Sequence, residues 1–196
     1  ISMSIEALME EAREIAEAAG ALTLKWYQKN DLEVNYKVDG TEVTEADRAA
    51  EALIREQLLK HHPEDAVVGE EHGGSFSATN RTWVIDPIDG TRGFVKGIPL
   101  YSTLLALVDE EGPLVGVIHL PVLGLTMVAG RGNGCWLGDQ RCRVSTHSVL
   151  DKALINTSSY ETFSEQNFGH LKKSGAVMRT WGDGYGYFLV ASGRAE

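Results

Sequence analysis

VIDPIDGT, residues Val84 to Thr91, is the stretch on which the interpretation of this 196-residue chain depends. An apolar, strand-like run leads into two aspartates, Asp86 and Asp89, which are three residues apart and are followed by a turn at Gly90. Carboxylates at this spacing can converge on one hard cation, while the backbone N–H groups of the turn face an anion. The stretch therefore predicts metal-assisted phosphate chemistry.

A second pair of carboxylates, Glu70 and Glu71, follows a short apolar strand upstream. Taken alone, this pair is better interpreted as a solvated acidic turn, because the loop over residues 73–80 is rich in glycine and polar residues. Adjacent strands, however, would bring these side chains to the same sheet end as Asp86 and Asp89. Buried like charges repel one another unless a cation neutralises them, so the combination predicts a cation site.

Oxygen donors indicate Mg²⁺ or Mn²⁺ rather than zinc, because no His or Cys lies at ligand spacing. We interpret His61, His62 and His72 as loop histidines that face solvent. Cys135 and Cys142 flank a turn and resemble neither a zinc site nor a disulfide framework. They are predicted to be reduced structural residues.

Each remaining residue of the signature has a predicted task. Pro87 stiffens the turn, which lets the carbonyl of Ile88 point at the ion. Gly90 and Thr91 are predicted to bind phosphate, because Gly90 permits a close backbone approach and Thr91 offers a hydroxyl and an N–H at a helix start. Two or more Mg²⁺ ions can clamp a phosphoester and lower the pKa of a bound water. Glu70 and the Thr91 hydroxyl are predicted to orient and deprotonate that water.

Charge and composition narrow the choice of partner. The formal net charge is −10 and the apolar fraction is 43%. Binding to nucleic acid or an anionic membrane depends on clustered Lys and Arg, which this composition disfavours. No run reaches the roughly 18 apolar residues that a membrane span needs. We therefore predict a cytoplasmic protein that acts on a small phosphate ester, with neither nucleic acid nor a membrane as partner.

Hydrophobic periodicity predicts two helices followed by a run of strands. A helix is expected over about residues 5–28, and a second is expected to begin after an N-cap at Thr44, with Asp47 at position N3, and to end at residues 61–63. Six strands are predicted, at 66–69, 82–86, 103–109, 114–119, 125–129 and 135–137. Their close succession, with a hairpin at 110–113, favours an antiparallel sheet with the two helices against it.

The pattern changes after residue 146. A strand at 153–156, a helix at 164–173, a strand at 176–178 and a helix at 183–191 alternate, which indicates an α/β layer. We therefore predict an α+β metal-binding and catalytic domain over residues 1–145 and the beginning of a second α/β domain over residues 146–196. An apolar helix-like pattern runs to Glu196 without a cap, so we expect the sequence to be a fragment.

Three strings, in this order, resemble the inositol monophosphatase superfamily of Mg²⁺-dependent, lithium-sensitive phosphatases: VTEAD at 43–47, GEEHGG at 69–74 and WVIDPIDGTRGF at 83–94. The aspartate signature with GEE upstream is the specific part of this resemblance. It implies a phosphoric monoester hydrolase that binds two or three metal ions and forms a homodimer. The implied fold is a layered α/β/α/β/α arrangement.

The resemblance also implies roles for individual residues. Metal would be bound by Glu70, Asp86, Asp89 and the carbonyl of Ile88. Thr91 would act with Glu70 on the nucleophilic water, and Asp47 would belong to the water shell of a metal. The helix-cap interpretation of Asp47 can hold as well, because a cap leaves one carboxylate oxygen free. Family members carry one more metal-ligand aspartate in a WD motif beyond the equivalent of Glu196, and a chain complete at 196 residues would lack it.

Three features resemble the histidinol-phosphate phosphatases within the superfamily: KVDGT at 37–41, RGFV at 92–95 and WGDGYGY at 181–187. Asp89, Arg92 and Asp183 are the predicted substrate-binding residues, and an acidic Asp183 would suit a cationic amino alcohol better than a polyol. Asp183 could equally cap the following helix, and Arg92 could be a surface residue. Tyr185 and Tyr187 are expected in the core.

Other substrates remain open at this point. Inositol 1-phosphate, fructose 1,6-bisphosphate and nucleotide 3'-phosphates are the alternatives within the same superfamily. A metal-binding regulatory module without catalytic activity is the alternative outside the enzymes. It would bind Mg²⁺ but would turn over no phosphomonoester.

Overall fold

The structure, a computed structural model, describes residues 3–77 and 81–196. The end of the loop predicted over residues 73–80 lies outside these described residues. The helices are α1 (Ile5–Thr23), α2 (Glu45–His61), α3 (Thr91–Val95), α4 (Glu165–Lys173) and α5 (Asp183–Ala191). The strands are β1 (Val34–Tyr36), β2 (Glu42–Thr44), β3 (Ala66–Gly69), β4 (Thr82–Asp89), β5 (Ser102–Asp109), β6 (Gly112–Leu120), β7 (Leu125–Gly130), β8 (Gly134–Leu137), β9 (Gln140–Cys142), β10 (Leu154–Asn156) and β11 (Val177–Arg179).

A seven-stranded sheet, in the order β3-β4-β5-β6-β7-β8-β9, forms the centre of the fold. The prediction of an antiparallel sheet is wrong for its first pair, because β3 and β4 run parallel. All the later neighbours are antiparallel. Parallel pairing places the residues that follow Gly69 at the same sheet end as the last residues of β4. An antiparallel pair would have separated Glu70 from Asp89.

Strand β4 is longer than predicted and contains a break in its hydrogen-bond ladder. Asp86 pairs with Leu104 and Asp89 pairs with Ser102, so three steps along β4 match two along β5. Side chains alternate between the two faces of a regular strand, and residues three apart would point in opposite directions. The extra residue of the break corrects this, so both aspartates lie on the same side of the sheet.

Helices α1 and α2 cover one face of the sheet. The buried side chains of this core include Leu8 and Ile15 of α1, Ile54 and Leu58 of α2, and Trp83, Ile85, Leu105 and Leu107 of the sheet. The prediction for α1 was five residues too long, since the helix ends at Thr23. There the Thr23 hydroxyl donates to the Gly20 carbonyl and contacts the Tyr101 hydroxyl. The start and end of α2 agree with the prediction.

Residues beyond 146 form a second layer. Strands β10 and β11 make a parallel two-stranded sheet of their own, and α5 packs against the opposite face of the main sheet through Phe188 and Leu189, which contact Leu120 and Met127. The predicted α/β alternation is thus observed, while the domain boundary at residues 145 and 146 stays a prediction. The expectation of an uncapped pattern running to the last residue is wrong, because α5 ends at Ala191 with a cap at Ser192.

Three strands, β1, β2 and β9, were not predicted, because each is only three residues long and too short to show a periodic pattern. The hairpin of β1 and β2 carries Tyr36 on its surface, and β9 is exposed along most of its length. Neither has the alternation of buried and exposed residues by which strands are recognised. Within the described part of the chain, no helix is both long enough and apolar enough to cross a membrane.

Candidate active site

The loop after β3 is a closed turn that presents Glu70. Gly69 and Gly73 exchange both backbone hydrogen bonds, with N to O distances of 2.9 and 3.0 Å. The N–H of Glu70 donates to the carbonyl of Ile85 on the neighbouring strand at 3.2 Å. The parallel pairing of β3 and β4 therefore fixes the position of Glu70 relative to Asp86.

Asp86 is the most perturbed carboxyl group of the site. Burial, followed by the charges of Glu70 and Asp89, raises the pKa of Asp86 to about 9. Its Oδ1 atom is buried, and no donor within the described ranges reaches it. A buried carboxylate oxygen without a donor is costly, and several like charges close together add to that cost. Both features would be relieved by a bound cation.

Asp89 is held by two donors that the sequence analysis did not identify. The N–H of Gly184, in the first turn of α5, donates to Asp89 Oδ2, and Ser102 Oγ lies 3.4 Å from the same oxygen. Burial and the nearby charge of Asp183 nevertheless raise the pKa of Asp89 to about 6. Helix α5 thus brings one donor and one like charge to Asp89.

Asp47 connects α2 to the end of β4. The N–H and hydroxyl of Thr44 both donate to Asp47 Oδ2, at 2.7 and 2.6 Å, which confirms the predicted helix cap. The other oxygen, Oδ1, lies 3.1 Å from Thr91 Oγ1. The same hydroxyl is 3.0 Å from the carbonyl oxygen of Ile88. Burial raises the pKa of Asp47 above its ordinary value.

The turn between β4 and α3 requires glycine. Gly90 has a φ of +86°, in the left-handed region, and it precedes the first residue of α3, Thr91. A Cβ atom on Gly90 would lie 3.0 Å from Asp183 Oδ2, which shows how closely α5 approaches this turn. The phosphate-binding roles predicted for Gly90 and Thr91 remain predictions.

Lys37 forms ion pairs with both glutamates of the turn. Its Nζ atom is 2.6 Å from Glu70 Oε1 and 2.6 Å from Glu71 Oε1. Burial alone would lower the pKa of Lys37, but the bonds to the two carboxylates raise it above its ordinary value. Lys37 belongs to a string that the sequence analysis singled out, yet no sequence pattern indicated this contact, because it joins the β1–β2 hairpin to a distant loop.

The two residues predicted to select the substrate lie in different surroundings. Gly182 is the N-cap of α5, and Asp183 caps nothing through its side chain, so the alternative interpretation of Asp183 as the cap is wrong. Asp183 has a φ of +54°, an uncommon conformation for a residue other than glycine. The side chain of Arg92 is 75% exposed and pairs with Glu42 at 2.9 Å.

The donor set suits a hard divalent cation. Among residues 3–77 and 81–196, no group of three or more His, Cys, Asp or Glu side chains is already arranged around a metal position. The charges of Glu70 and Asp89 nevertheless help to raise the pKa of Asp86, and Asp86 Oδ1 is a buried oxygen that lacks a donor within the described residues. Oxygen ligands of this kind fit Mg²⁺ or Mn²⁺.

Outside the site, the structure tests what was expected of a histidine, two tyrosines and the two cysteines. His62 is not solvent-facing: it is 7% exposed, its Nε2 lies 2.7 Å from Glu11 Oε2, and its ring packs on Trp83. Tyr187 is 74% exposed and was wrongly expected in the core, whereas Tyr185 packs beside Phe188. The two cysteines are free, as predicted, and lie directly opposite each other on β8 and β9.

Comparison with known proteins identifies the family. A model of the inositol monophosphatase family matches residues 4–196. The chain belongs to the inositol monophosphatase family. The predicted superfamily is therefore confirmed, and so is the class of enzyme, since this is a family of phosphoric monoester hydrolases.

Relatives and solved structures agree with this membership. The chain is 41% identical over 189 residues to the histidinol-phosphatase of Chlorobaculum parvum, covering 94% of this chain and 73% of the relative. It is 37% identical over 191 residues to the histidinol-phosphatase of Mycobacterium tuberculosis, covering 93% and 74%. The IMPase of Thermotoga maritima superposes with a TM-score of 0.88 at 30% identity, covering 97% and 74%. These similarities confirm the predicted layered fold of the inositol monophosphatase family.

Proposed function

We propose that the protein is a Mg²⁺-dependent phosphatase whose preferred substrate is histidinol phosphate. The observation that carries the proposal is the carboxylate cluster of the half-buried Asp86 and Asp89 with the more exposed Glu70, in which the buried atom Asp86 Oδ1 lacks a donor within the described residues. Such an arrangement is unfavourable in itself and becomes favourable when a divalent cation is bound. The family match adds that the reaction is the hydrolysis of a phosphate ester.

Glu70, Asp86, Asp89 and the carbonyl of Ile88 would hold two or three Mg²⁺ ions, or Mn²⁺. When bound, the ions would polarise the phosphate ester and lower the pKa of a coordinated water. The ions would also neutralise the negative charge that raises the pKa of Asp86 and Asp89. The protein's own task is then to hold the nucleophilic water and to accept its proton.

Thr91, Asp47 and Glu70 are the residues proposed for that task. Asp47 Oδ1 can accept the proton of the Thr91 hydroxyl, which leaves the lone pairs of Thr91 Oγ1 free to accept a hydrogen bond from water. Glu70 supplies a second acceptor across the site. Gly90 and Thr91 are proposed to contact the phosphate through their backbone N–H groups. The pair of acceptors orients the water for attack on phosphorus.

Two observations favour histidinol phosphate over other esters. The chain is 37 to 41% identical to two proteins named histidinol-phosphatase, over more than nine tenths of its length. Asp183 adds a carboxylate next to Asp89 and Gly90, where the alcohol part of a substrate could carry a compensating positive charge. A polyol such as inositol offers no such charge. Arg92, paired with Glu42 at the surface, is a weaker candidate for substrate binding.

The experiment is a comparison of phosphate release from histidinol phosphate, inositol 1-phosphate, fructose 1,6-bisphosphate and adenosine 3',5'-bisphosphate, with Mg²⁺ and with EDTA. We expect Mg²⁺-dependent turnover that is fastest with histidinol phosphate. Asp89→Asn should lose several orders of magnitude in rate, whereas Asp139→Asn, which changes an exposed turn, should not. Equal or faster turnover of inositol 1-phosphate would reject the substrate assignment. Mg²⁺ binding without turnover of any ester would instead favour the regulatory module.

The homodimer, the cytoplasmic location and the sensitivity to lithium remain predictions. The last can be checked in the same assay by adding Li⁺ at fixed ionic strength. Sedimentation or light scattering of the purified chain would check the first.

A further inference from the structure

Glu51 is a fully buried carboxylate beneath the turn that carries Glu70. It lies on α2 and is 0% exposed. Its Oε2 accepts the N–H of Glu71 at 2.7 Å, and its Oε1 accepts the N–H of His72 at 3.1 Å. Two successive backbone N–H groups thus bind a single carboxylate, as in the anion-binding turns of many proteins. In this turn the bound anion is the carboxylate of Glu51, a side chain of the same polypeptide.

Arg55 provides a second connection between Glu51 and the turn. Arg55 Nε donates to Glu51 Oε1 at 2.8 Å, and the same guanidinium donates to the carbonyl of Gly73. Gly69 leaves the space in which the carboxylate sits, because a Cβ atom at this position would lie 2.0 Å from Glu51 Oε1. The turn from Gly69 to Gly73 is therefore attached to α2 at its middle and at its end.

Helix α2 touches both halves of the proposed water-binding pair. Asp47 and Glu51 are four residues apart and share one face of the helix. Asp47 contacts Thr91, while Glu51 holds the backbone next to Glu70. Because the helix backbone is stiff, the distance between Asp47 and Glu51 limits how far Glu70 and Thr91 can move apart. A rigid spacer of this kind is what a precisely oriented water requires.

We propose that Glu51 is a positioning residue that sets the place of Glu70 in the metal site and relative to Thr91. Its carboxylate accepts from the N–H groups of the turn and from Arg55, and in this proposal it acts on Glu70 through the backbone of the turn. The inference rests on the proposed function, in which Glu70 binds metal and orients the water. A purely structural Glu51 would affect the stability of the protein alone.

The test is Glu51→Gln in the full chain, with Mn²⁺ affinity, kcat, KM and the midpoint of thermal unfolding measured together. The amide keeps the size of the side chain but places an NH₂ group against one of its donors, so the turn must shift. Groups that orient metal ligands typically contribute about 10- to 100-fold to affinity or activity. We expect a loss of this size in Mn²⁺ affinity and in kcat, with KM changed less than kcat.

Two matched controls lie on the same helix. Glu56→Gln makes the same chemical change at an exposed position and should leave every measured quantity unchanged. Ile54→Val loses a buried methyl group and should lower thermal stability without changing Mn²⁺ affinity. The proposal is overturned if Glu51→Gln resembles Ile54→Val, with reduced stability but wild-type Mn²⁺ affinity and kcat.

Two further variants keep the outcome interpretable. If Glu51→Gln does not fold, Arg55→Lys retains the positive charge beside Glu51 but loses the link to Gly73, and we expect a smaller loss of Mn²⁺ affinity. Wild-type affinity and kcat in a folded Arg55→Lys protein would overturn the proposal. Glu70→Gln separates the two hypotheses: if it binds Mn²⁺ like the wild type, the metal site itself fails. If only Glu70→Gln loses affinity, the inference about Glu51 fails alone.

Discussion

Thr91 Oγ1 lies between two acceptors, 3.1 Å from Asp47 Oδ1 and 3.0 Å from the carbonyl oxygen of Ile88. A hydroxyl group has one proton to donate, so Thr91 satisfies one of these acceptors at a time. Donation to Asp47 leaves the Ile88 carbonyl free to face a cation. The Thr91 hydroxyl therefore couples the proposed proton acceptor on α2 to a proposed metal ligand on β4.

Thr91→Ala should lower kcat about 100-fold or more, because a positioned proton-transfer group contributes on the order of 10²- to 10⁴-fold. Thr91→Ser keeps the hydroxyl and should retain most of the rate. Both are measured by phosphate release at saturating Mg²⁺ and substrate. Wild-type kcat in the alanine variant would remove Thr91 from the proton transfer.

The stability of the metal-free protein should fall as pH rises. Asp86 has a pKa of about 9 in the folded state, far above the ordinary value of 3.8, so the folded state keeps a proton that the unfolded state releases. Its contribution is fully present below about pH 4 and is lost as pH rises towards 9, by at most about 1.4 kcal/mol per pH unit. Thermal unfolding in EDTA should show this slope, and Asp86→Asn should flatten it.

Saturating Mg²⁺ supplies the matching control for this prediction. A cation bound beside Asp86 favours the ionised carboxylate, so the decline in stability with rising pH should largely disappear. An unchanged slope in both Asp86→Asn and the Mg²⁺-bound protein would mean that Asp86 is not the group responsible.

Asp183→Asn should raise KM for histidinol phosphate about tenfold and leave KM for inositol 1-phosphate nearly unchanged. A hydrogen bond to a charged group contributes about 1.5–3 kcal/mol, and a factor of ten needs about 1.4 kcal/mol. Asn is chosen because it tolerates the positive φ of Asp183 better than Ala does. Equal changes in KM for both substrates would show that Asp183 does not distinguish them.

Lys37→Met should increase the affinity of the site for the first divalent ion by a few-fold. The ammonium group now pairs with Glu70 and Glu71, and a metal must share Glu70 with it or displace it. Removing a positive charge also removes its repulsion of the metal, an effect that added salt weakens. Titration with Mn²⁺ at two ionic strengths measures both effects, and Lys29→Met, at an exposed position, is the control.

The sequence predicted which carboxylates form the candidate site better than it predicted the strand pairing that brings them together. Glu70, Asp86 and Asp89 were expected at one sheet end, and the structure brings them there. The prediction did not include the parallel pairing of β3 and β4 that achieves this, because hydrophobic periodicity carries no information about strand direction. The boundaries of β3 and α5 agree with the prediction, since glycine, proline and turn residues mark their ends.

The contacts that could not be predicted join segments far apart in the chain. Lys37 reaches Glu70 from a hairpin whose three-residue strands are too short to show a pattern, and Gly184 reaches Asp89 from the second layer. Glu51 had a detectable signal, because a carboxylate on the face shared by Asp47, Ala50 and Ile54 is unusual in a buried position. The burial of His62 had no detectable signal in the sequence, because it depends on tertiary contacts with Glu11 and Trp83.

The break in β4 makes the strand sensitive to substitution of Pro87, which lies between Asp86 and Asp89. Pro87 offers no N–H, and its carbonyl accepts the hydroxyl of Thr103 at 2.9 Å in place of a ladder bond. Pro87→Val would restore an amide and favour an uninterrupted strand, which would rotate Asp89 away from Asp86. Proline at this position thus helps to maintain the break, so that Asp89 lies on the same side of the sheet as Asp86, as a residue two positions away would in a regular strand.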